Sequence, residues 1–369
     1  MKNILFITAF PPSELAAAEK NTKLMLKELG KKFEVDLVYF KDPEVGEYEP
    51  ELHSIRVKKL IHNSMRYRLL NIVLCPIFHP IFTVRFNWKL LKYLQKLINK
   101  ENYTAIIFDH SQTMLYARML KYGGPKLLLA HDVEAQRFER KSNKMMTWFC
   151  KISEKYVLSV ANGFVFTVSK KDVKLIKEKY NIDAEEFLLY LDDRIIQNGI
   201  SKIKNSFVLY GNWRRPDNYE GALWLLNGLD KFLKEPTTIN IIGIGFPRNK
   251  LARNFDNLII NDFGFVDNPY SLIAESKAML CPLLSGAGIK VKVIESLACG
   301  TPVLGTDIAF EGFSEKYSEF MIRCENQKDF AYRMKNIIFD IQKRLEFKKM
   351  FIGDYKTKSI PEWINNNIN

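Results

Sequence analysis

A short segment rich in glycine and lysine, in the second half of the chain, has the residue types of a phosphate-binding site. Residues 285–292 read Ser-Gly-Ala-Gly-Ile-Lys-Val-Lys and follow an apolar run that ends at Pro282. Small residues let the backbone approach a ligand closely, and the free amides at the start of a helix attract a diphosphate. Lysine side chains add positive charge beside these amides. The predicted phosphate contacts are Gly286, Ala287, Gly288, Ile289, Lys290 and Lys292.

A carboxylate follows the phosphate segment at a spacing that suits a nucleotide. Glu295 lies about one turn into the helix that is predicted after this segment, where it can accept hydrogen bonds from both hydroxyls of a ribose. Residues 298–302, Ala-Cys-Gly-Thr-Pro, then end the helix and lead into the next strand. A glycine-rich turn with solvated lysines and a surface glutamate is the alternative for an isolated Gly-x-Gly. The complete ordered string favours a nucleotide site.

Histidine and acidic residues follow two predicted strands in the first half of the chain. His131 comes directly after an apolar run, and open α/β sheets bind their ligands at the carboxyl ends of strands. A neutral imidazole there can hydrogen-bond a sugar hydroxyl, and a purely structural histidine is the alternative. Asp132 and Glu134 are secondary candidates. Asp109 and His110 form an acceptor-side pair or, alternatively, a packing pair.

Two series of short apolar strands, separated by helical patterns, must position these residues. Such alternation predicts an α/β protein with two mostly parallel sheets. The predicted strands of the first half are 4–8, 35–39, 105–108, 126–130 and 163–168, with helices at 20–29 and 151–160. Those of the second half are 207–211, 239–243, 258–261, 278–282 and 302–305. The polar segment 192–204 is the predicted linker, so we expect ligands to bind in the cleft between the halves.

These motifs together resemble the donor site of glycosyltransferase family 4, whose members have the GT-B fold. The resemblance rests on the segments 130–134, 165–169, 207–218, 262–266 and 285–304. It covers about residues 1–345 and is strongest over 207–312. It implies an α/β protein of the GT-B class, in which two Rossmann-like, doubly wound domains face each other across a cleft.

The resemblance also implies a domain organisation and further donor contacts. Residues 1–197 would form the N-terminal, acceptor-side domain and residues 198–345 the donor-binding domain. Residues 346–369 would form a C-terminal helix that crosses back to the N-terminal domain, with Trp363 as its packing anchor. The further donor contacts are Gly211, Asn212, Arg214, Phe265 and Val266, and Arg215 is an additional phosphate clamp or a solvated surface residue.

The reaction that the resemblance implies is transfer of a sugar from a nucleotide-diphosphate sugar to a glycan or lipid-linked acceptor. The anomeric configuration would be retained, without a dedicated protein base. His131, Lys290 and Glu295 are the predicted catalytic residues, and positive groups would stabilise the leaving diphosphate. No cofactor is expected. The chain has no Asp-x-Asp sequence, so no metal-bridged diphosphate is expected either.

Two positions depart from the family pattern. The family commonly has a glutamate eight positions before the one that matches Glu295, and here that position is Ala287. The backbone amides of Ala287 and Gly288 are therefore expected to hold the donor sugar. The N-terminal loop, often Gly-Gly in the family, reads Ser-Glu-Leu-Ala-Ala-Ala at 13–18, which makes a close approach of the donor phosphate to that loop less expected.

The composition restricts the partners and the compartment. A net charge of +13 over 369 residues indicates an anionic partner, such as nucleotide phosphates, anionic lipid, an acidic glycan or nucleic acid. No recognition helix, zinc knuckle or RNA-binding aromatic motif accompanies the charge, so nucleic acid is not expected. Five scattered cysteines without Cys-x-x-Cys predict neither a disulfide framework nor a zinc site, and they fit a reducing cytoplasm.

Basic and aromatic residues are concentrated between Val57 and Lys100. This composition suits an anionic membrane interface, and we expect peripheral attachment at the inner face of the cell membrane. An ordinary amphipathic helix with its aromatic residues in the core and its lysines in water is the alternative. The apolar stretch 69–82 is too short and too interrupted to span a bilayer. The residues concerned are Lys58, Lys59, Arg66, Arg68, Arg85, Lys89, Lys92 and Lys96, with Tyr67, Phe78, Phe82, Phe86, Trp88 and Tyr93.

Two alternatives to glycosyl transfer stay open at this point. A sugar-nucleotide epimerase also has two Rossmann-like halves, but it needs acidic groups around the sugar, and the lysine-rich loop argues against it. A non-catalytic module that binds sugar nucleotides or glycans is the second alternative, and Ala287 is the residue that motivates it. The resemblance favours a transferase of surface-polysaccharide or glycoconjugate assembly.

Overall fold

The computed structural model describes residues 2–14, 17–43, 45–140, 144–252, 254–286, 288–355 and 359–368. The chain divides into two compact units. The first comprises residues 1–190 together with 358–369, and the second comprises residues 191–357.

The described part of the first unit contains a sheet of seven parallel strands. These are β1 (Asn3–Thr8), β2 (Glu34–Lys41), β3 (Ile55–His62), β4 (Ala105–Asp109), β5 (Lys126–Ala130), β6 (Gly163–Thr167) and β7 (Ala184–Glu186), in the order β3-β2-β1-β4-β5-β6-β7. The helices are α1 (Ala17–Gly30), α2 (Met65–Leu74), α3 (Pro80–Thr83), α4 (Trp88–Lys100), α5 (Met114–Met119), α6 (Glu134–Glu139), α7 (Lys144–Leu158) and α8 (Lys170–Tyr180).

The described part of the second unit contains a sheet of six parallel strands. These are β8 (Ser206–Tyr210), β9 (Thr237–Ile242), β10 (Leu258–Gly264), β11 (Met279–Cys281), β12 (Val303–Gly305) and β13 (Met321–Arg323), in the order β10-β9-β8-β11-β12-β13. The helices are α9 (Asp193–Gln197), α10 (Pro216–Leu229), α11 (Tyr270–Glu275), α12 (Val291–Ala298), α13 (Gln327–Asn336) and α14 (Ile341–Tyr355).

Both sheets have the strand character expected of parallel α/β units. The central strands are continuous apolar runs, and Ile4, Leu5, Phe6 and Ile7 of β1 are all fully buried. A strand buried on both faces reads as such a run because helices cover the sheet on each side. The predicted α/β class with two Rossmann-like sheets is confirmed.

Three edge strands were not predicted, namely β3, β7 and β13. Strand β3 carries Arg56, Lys58 and Lys59, and half of its residues are exposed, which is typical of an edge strand. The prediction had placed Lys58 and Lys59 in the basic and aromatic stretch between Val57 and Lys100, and the structure places both residues on β3. Strands β7 and β13 have only three residues each, too few for an alternating pattern to emerge.

The boundaries of the two units differ from the predicted ones. The segment after Tyr190 belongs to the second unit, because Lys348 of α14 donates hydrogen bonds to the carbonyls of Ile195 and Asn198. The predicted linker 192–204 is therefore partly helical and packed. The terminal region also contains two helices rather than one, and α14 groups with the second unit.

The final helix, α15 (Ile360–Asn367), belongs to the first unit. The Trp363 ring lies 4.9 Å from the Phe164 ring and 5.0 Å from the Phe166 ring, between centroids. The indole Nε1 of Trp363 donates to Glu185. These contacts dock α15 against β6 and β7. Over the described residues, no helix combines the length and the apolar character that a bilayer crossing requires.

Candidate functional site

The predicted phosphate segment forms the loop between β11 and α12. Gly286 and Gly288 adopt φ angles of 127° and 68°, a region that favours glycine because a Cβ would be strained there. Lys290 occupies the N-cap position of α12, and no side chain caps the first turn within the described residues. The first amides of α12 are thus available to an anion. Ala287 lies outside the described residues.

Lys292 points from the first turn of α12 toward the loop after β8. Its Nζ lies 2.8 Å from Oδ1 of Asn218 and 5.7 Å from the centroid of the Trp213 ring. A Cβ on Gly211 would lie 3.3 Å from the same Nζ, so the glycine keeps the backbone close to the ammonium. Burial lowers the pKa of Lys292. The structure therefore brings together two segments, around Gly211 and around Lys292, that are about eighty residues apart.

The other residues of the predicted phosphate segment contact their own loop and the start of α10. The Nζ of Lys290 donates to the carbonyl of Gly288 and so folds back onto its own loop. Ile289 is half-buried beside it. Ser285 Oγ lies 3.0 Å from Asp217 Oδ1 and ties this loop to the first turn of α10.

Glu295 lies in a buried network of tyrosines and carboxylates. The Tyr270 hydroxyl lies 2.9 Å from Glu295 Oε1 and 3.3 Å from Asp192 Oδ2. Burial, followed by the Glu295 charge and hydrogen bond, raises the pKa of Tyr210 well above its ordinary value. Arg194 pairs with Asp192 at 2.7 Å. Both tyrosines thus donate to the carboxylate and fix its orientation.

Sequence reasoning missed Tyr210, Tyr270 and Asp192. One signal was present for Tyr210, which ends β8 at the carboxyl edge of the sheet, the edge at which open α/β sheets bind ligands. Tyr270 and Asp192 are 25 and 103 positions from Glu295 in the sequence. Their proximity follows only from the packing of α11 and of α9 against α12.

The remaining predicted donor residues lie on loops at the carboxyl ends of β8 and β10. Asn212 Oδ1 accepts a hydrogen bond from the Arg214 amide at 3.1 Å, which shapes the turn after Gly211. A Cβ on Gly245 would lie 2.9 Å from Arg214 Cγ. Phe265 is more than half exposed, and Val266 is half-buried. Arg215 pairs with Asp217 at 3.6 Å.

In the first unit, His131 pairs with Asp109 at the carboxyl ends of the neighbouring strands β5 and β4. His131 Nε2 lies 2.7 Å from Asp109 Oδ1. The other carboxylate oxygen accepts hydrogen bonds from the hydroxyls of Thr8 at 2.8 Å and Thr22 at 2.9 Å. Burial opposes ionisation of Asp109, but His110, His131 and the hydrogen bonds outweigh it and lower its pKa. Asp109 is thus a fixed, buried anion.

His110 stacks on His131 with ring centroids 3.8 Å apart and planes 18° apart. His110 has a φ of 69°, and its Nε2 has no hydrogen-bond partner in the described part of the chain. Burial lowers the pKa of His110 to about 3, so this imidazole is neutral at physiological pH. Asp109, His110 and His131 offer ligand atoms within 4.8 Å of one another. Nearly parallel ring planes cannot both contain one ion, so the arrangement favours a hydrogen-bonded pair over a metal centre.

Glu134, one of the two acidic residues in the predicted segment 130–134, is buried at the start of α6. Burial, and then the charges of Asp132 and Glu154, raise the pKa of Glu134 to about 8. Glu154 of α7 accepts hydrogen bonds from the amides of Glu134 and Ala135 and from the Tyr180 hydroxyl, at 2.7, 3.0 and 2.5 Å. Glu154 therefore caps α6 and supports the segment that carries His131.

Comparison with known proteins relates the second half of the chain to a family. Residues 204–340 match the model of the family described as glycosyl transferases group 1. A protein of Klebsiella pneumoniae, described as an uncharacterized 44.6 kDa protein in the cps region, is 24% identical over 267 residues, which are 63% of this chain and 68% of the relative.

Solved structures resemble the chain over nearly its whole length. Sucrose-phosphate synthase from Thermosynechococcus elongatus has a TM-score of 0.70 at 14% identity, covering 99% of this chain and 96% of that one. HepE of Anabaena in complex with UDP-glucose has a TM-score of 0.66 at 14% identity, covering 99% and 98%. WaaG, a glycosyltransferase involved in lipopolysaccharide biosynthesis, has a TM-score of 0.63 at 13% identity, covering 99% of each chain. Residues 204–340 are therefore similar to the group 1 glycosyl transferases, and the two Rossmann-like units have the GT-B fold.

Proposed function

We propose that the chain transfers a sugar from a nucleotide-diphosphate sugar to a glycan or lipid-linked acceptor. The observation that carries the proposal is the grouping of Lys292, Gly211 and Asn218 beside the uncapped start of α12, with Glu295 one turn further along the helix. Lys292 supplies a cation, and Gly211 allows a close approach of the backbone, as a diphosphate requires. Glu295 can accept hydrogen bonds from the two hydroxyls of the adjoining ribose. HepE, a structural neighbour, binds UDP-glucose.

In the proposed reaction, the bond between the anomeric carbon of the sugar and the diphosphate oxygen breaks. A bond forms between that carbon and an acceptor oxygen, and the acceptor proton leaves. Negative charge develops on the departing nucleotide diphosphate, where Lys290, Lys292 and the α12 amides would stabilise it. These groups supply positive charge without a metal or a cofactor. Retention of configuration is proposed from the family resemblance.

We also propose a role in surface-polysaccharide assembly at the inner face of the cell membrane. The Klebsiella relative lies in a cps region, and WaaG is involved in lipopolysaccharide biosynthesis. Both descriptions apply to the related proteins themselves, and they support the proposal of a polymer or lipid-linked acceptor for this chain. His131 and its partner Asp109 would hydrogen-bond the sugar that is transferred.

Nucleotide binding is the test of this proposal. Thermal shift and calorimetry would be measured with UDP, GDP, TDP and CMP and with their common sugars, on the wild type and on Lys292→Ala and Glu295→Ala. Lys349→Ala, on the exposed side of α14, is the matched control. We expect one nucleotide to bind, a loss of tenfold or more in each site variant, and no change in the control. Absence of binding by any nucleotide would remove the proposal, and tight binding without transfer or hydrolysis would favour a non-catalytic module.

A further inference from the structure

The helices α2 and α7 of the first unit each leave an apolar face exposed. On α2 and the turn that follows it, Val73 and Ile77 are 71% and 73% exposed. On α7, Met145 and Trp148 are 73% and 64% exposed. The exposed apolar side chains, which together we call the α2–α7 face, are Met65, Leu69, Leu70, Val73, Leu74, Ile77, Met145, Trp148, Ile152 and Tyr156.

Both helices pack against α3, and the segment that follows α2 contacts α7, so the exposed end of α2 lies near the exposed side of α7. The Phe78 ring, at the end of the α2 turn, lies 5.0 Å from the Tyr156 ring of α7. The amide of His79 donates to Ser153 Oγ at 2.8 Å. Since Ser153 is buried and Tyr156 is exposed, the contact joins the inner side of α7 to the segment after α2.

Helical spacing accounts for the exposed face of α7. Cys150, Glu154 and Val157 are buried against the unit, whereas the side chains at 145, 148, 152 and 156 recur every three or four positions on the opposite side. Soluble proteins rarely expose a contiguous apolar surface of this extent without a partner. The alternation of a buried side and an apolar outer side therefore indicates that α7 contacts something besides its own core.

The charges around the α2–α7 face are positive. Lys144, Lys151 and Lys155 are exposed on α7, and Arg66 is exposed on α2. The guanidinium of Arg118 lies over the Tyr156 ring at 4.6 Å. The single carboxylate within the two helices is Glu154, which is buried. Over the described residues of α2 and α7, the surface is thus apolar with a cationic border, and neither helix contributes an exposed carboxylate.

We propose that the α2–α7 face binds the surface of an anionic phospholipid bilayer. Exposed aliphatic side chains with a tryptophan and flanking lysines match the interfacial region of a bilayer, where apolar groups enter the acyl boundary and cations meet phosphates. A bilayer is flat, apolar beneath and anionic above, which is the complement of this surface. The inference does not depend on the donor site.

The proposed face overlaps in part with the membrane surface that the sequence predicted between residues 57 and 100. Helix α2 lies inside this stretch, and α7 lies after it. Phe82 and Phe86 are buried in the core, and Leu90 and Leu94 of α4 face that core as well. The lysines of α4 lie on its solvated side. The apolar side of α4 thus packs in the core, apart from Trp88, which is 46% exposed, and a larger set of exposed apolar residues lies on α2 and α7.

Vesicle flotation with the full chain tests the proposal. Vesicles of phosphatidylcholine alone are compared with vesicles that also contain phosphatidylglycerol. We expect the wild type to float with the anionic vesicles, and the Trp148→Ser/Ile152→Ser variant to lose this binding tenfold or more. The Tyr332→Ser/Ile338→Ser variant is the control, because these residues of the second unit are 62% and 86% exposed. We expect it to bind like the wild type.

Two double variants with the same change in net charge test whether the lysines at the border of the α2–α7 face contribute to binding. Lys151→Glu/Lys155→Glu should weaken flotation several-fold, whereas Lys92→Glu/Lys96→Glu on α4, with the same change in net charge, should not. Addition of anionic vesicles should shift the tryptophan emission to the blue, and Trp148→Phe should remove the shift. Equal losses in the two charge variants, or a wild type that does not float, would overturn the proposal.

Two further measurements separate the outcomes. Sedimentation velocity would show whether the α2–α7 face instead binds a second copy of the chain. If the wild type self-associates and Trp148→Ser/Ile152→Ser does not, the proposal is wrong. Thermal midpoints and nucleotide-induced shifts of all variants should equal those of the wild type, since the substituted side chains are exposed. Failure of nucleotide binding with intact flotation would remove the proposed function and leave the membrane surface standing.

Discussion

His131 Nε2 lies 2.7 Å from Asp109 Oδ1, and the two residues end neighbouring parallel strands. Asp109 is fully buried, and its pKa is lowered despite that burial, so it is an anion that only accepts hydrogen bonds. The Nε2 of His131 must therefore carry the proton. In the neutral form of the imidazole, Nδ1 is then the nitrogen that can accept a hydrogen bond from a hydroxyl.

Asp109→Asn tests this fixed tautomer. The amide keeps the size of the side chain but removes the charge that favours a proton on Nε2. We expect sugar transfer to fall at least tenfold in kcat, roughly 1.4 kcal/mol of transition-state stabilisation. Nitrogen chemical shifts of the labelled imidazole should report a mixture of tautomers in the variant and a single one in the wild type. Transfer rates and these spectra are the measurements.

Thr22→Val is the control for Asp109→Asn. It removes one hydrogen bond to Oδ2 of Asp109 and leaves the Oδ1 contact to His131 intact. Its tautomer spectrum should match that of the wild type. Unchanged kcat and an unchanged spectrum in Asp109→Asn would mean that the pair has only a structural role.

Tyr270→Phe should weaken nucleotide binding without abolishing it. The Tyr270 hydroxyl orients Glu295 by a 2.9 Å hydrogen bond, and loss of one such bond costs about 1 kcal/mol. We expect a Kd about fivefold higher, against a rise of tenfold or more for Glu295→Gln, which removes the charge itself. Calorimetry with the nucleotide that binds the wild type measures both. A larger loss in Tyr270→Phe than in Glu295→Gln would contradict the assignment of Glu295 as the ribose contact.

The sequence was sufficient for the central strands, but not for the contacts that the candidate site residues form. Apolar runs such as that of β1 are read directly, because burial on both faces removes the polar alternation. His131 and Asp109 were each recognised from their positions after strands. Their hydrogen bond depends on β5 lying next to β4, which no local pattern encodes.

The same limit explains the surface of α7. A helix at 151–160 was predicted from its spacing, yet the sequence does not say which of two apolar sides faces the core. Cys150 and Val157 are buried, whereas Trp148 and Ile152 are exposed. Only tertiary packing decides between them, so the predicted membrane surface, residues 57–100, included α2 but not α7.

Glu134→Gln should make stability less sensitive to rising pH. The pKa of Glu134 is raised from 4.5 to about 8, by burial first and then by nearby carboxylates. A raised pKa favours the protonated form in the folded state, so stability is fully present below pH 4.5 and is lost as the pH rises toward 8. The loss is at most about 1.4 kcal/mol per pH unit. The variant has no such charge, so its advantage over the wild type should grow between about pH 5 and pH 8.

Urea unfolding at several pH values measures this difference. Glu178→Gln, at an exposed position of α8, gives the background pH dependence of the fold. A constant difference between Glu134→Gln and the wild type across this range would show that Glu134 is not held protonated. Parallel curves for Glu178→Gln and the wild type are expected.

Arg344→Met should destabilise the second unit strongly. Arg344 is fully buried and donates to the carbonyls of Gly300 and Ser276 and to Thr301 Oγ1, at 2.7, 3.0 and 2.7 Å. These contacts fix α14 against the end of α12. Methionine fills similar space but leaves three buried acceptors without a donor, which costs about 3–5 kcal/mol. Thermal unfolding should therefore begin roughly 10 °C lower.

Arg333→Met provides the matched control for this substitution. Arg333 is exposed and pairs with Asp329 one turn away at 3.2 Å, a surface contact that contributes about 0.5 kcal/mol or less. Its midpoint should stay within about 2 °C of the wild type. Because Gly300 follows the helix that carries Lys292 and Glu295, nucleotide binding by Arg344→Met should also weaken at temperatures where the unit is still folded. Equal midpoints for the two variants would mean that α14 does not depend on the buried guanidinium.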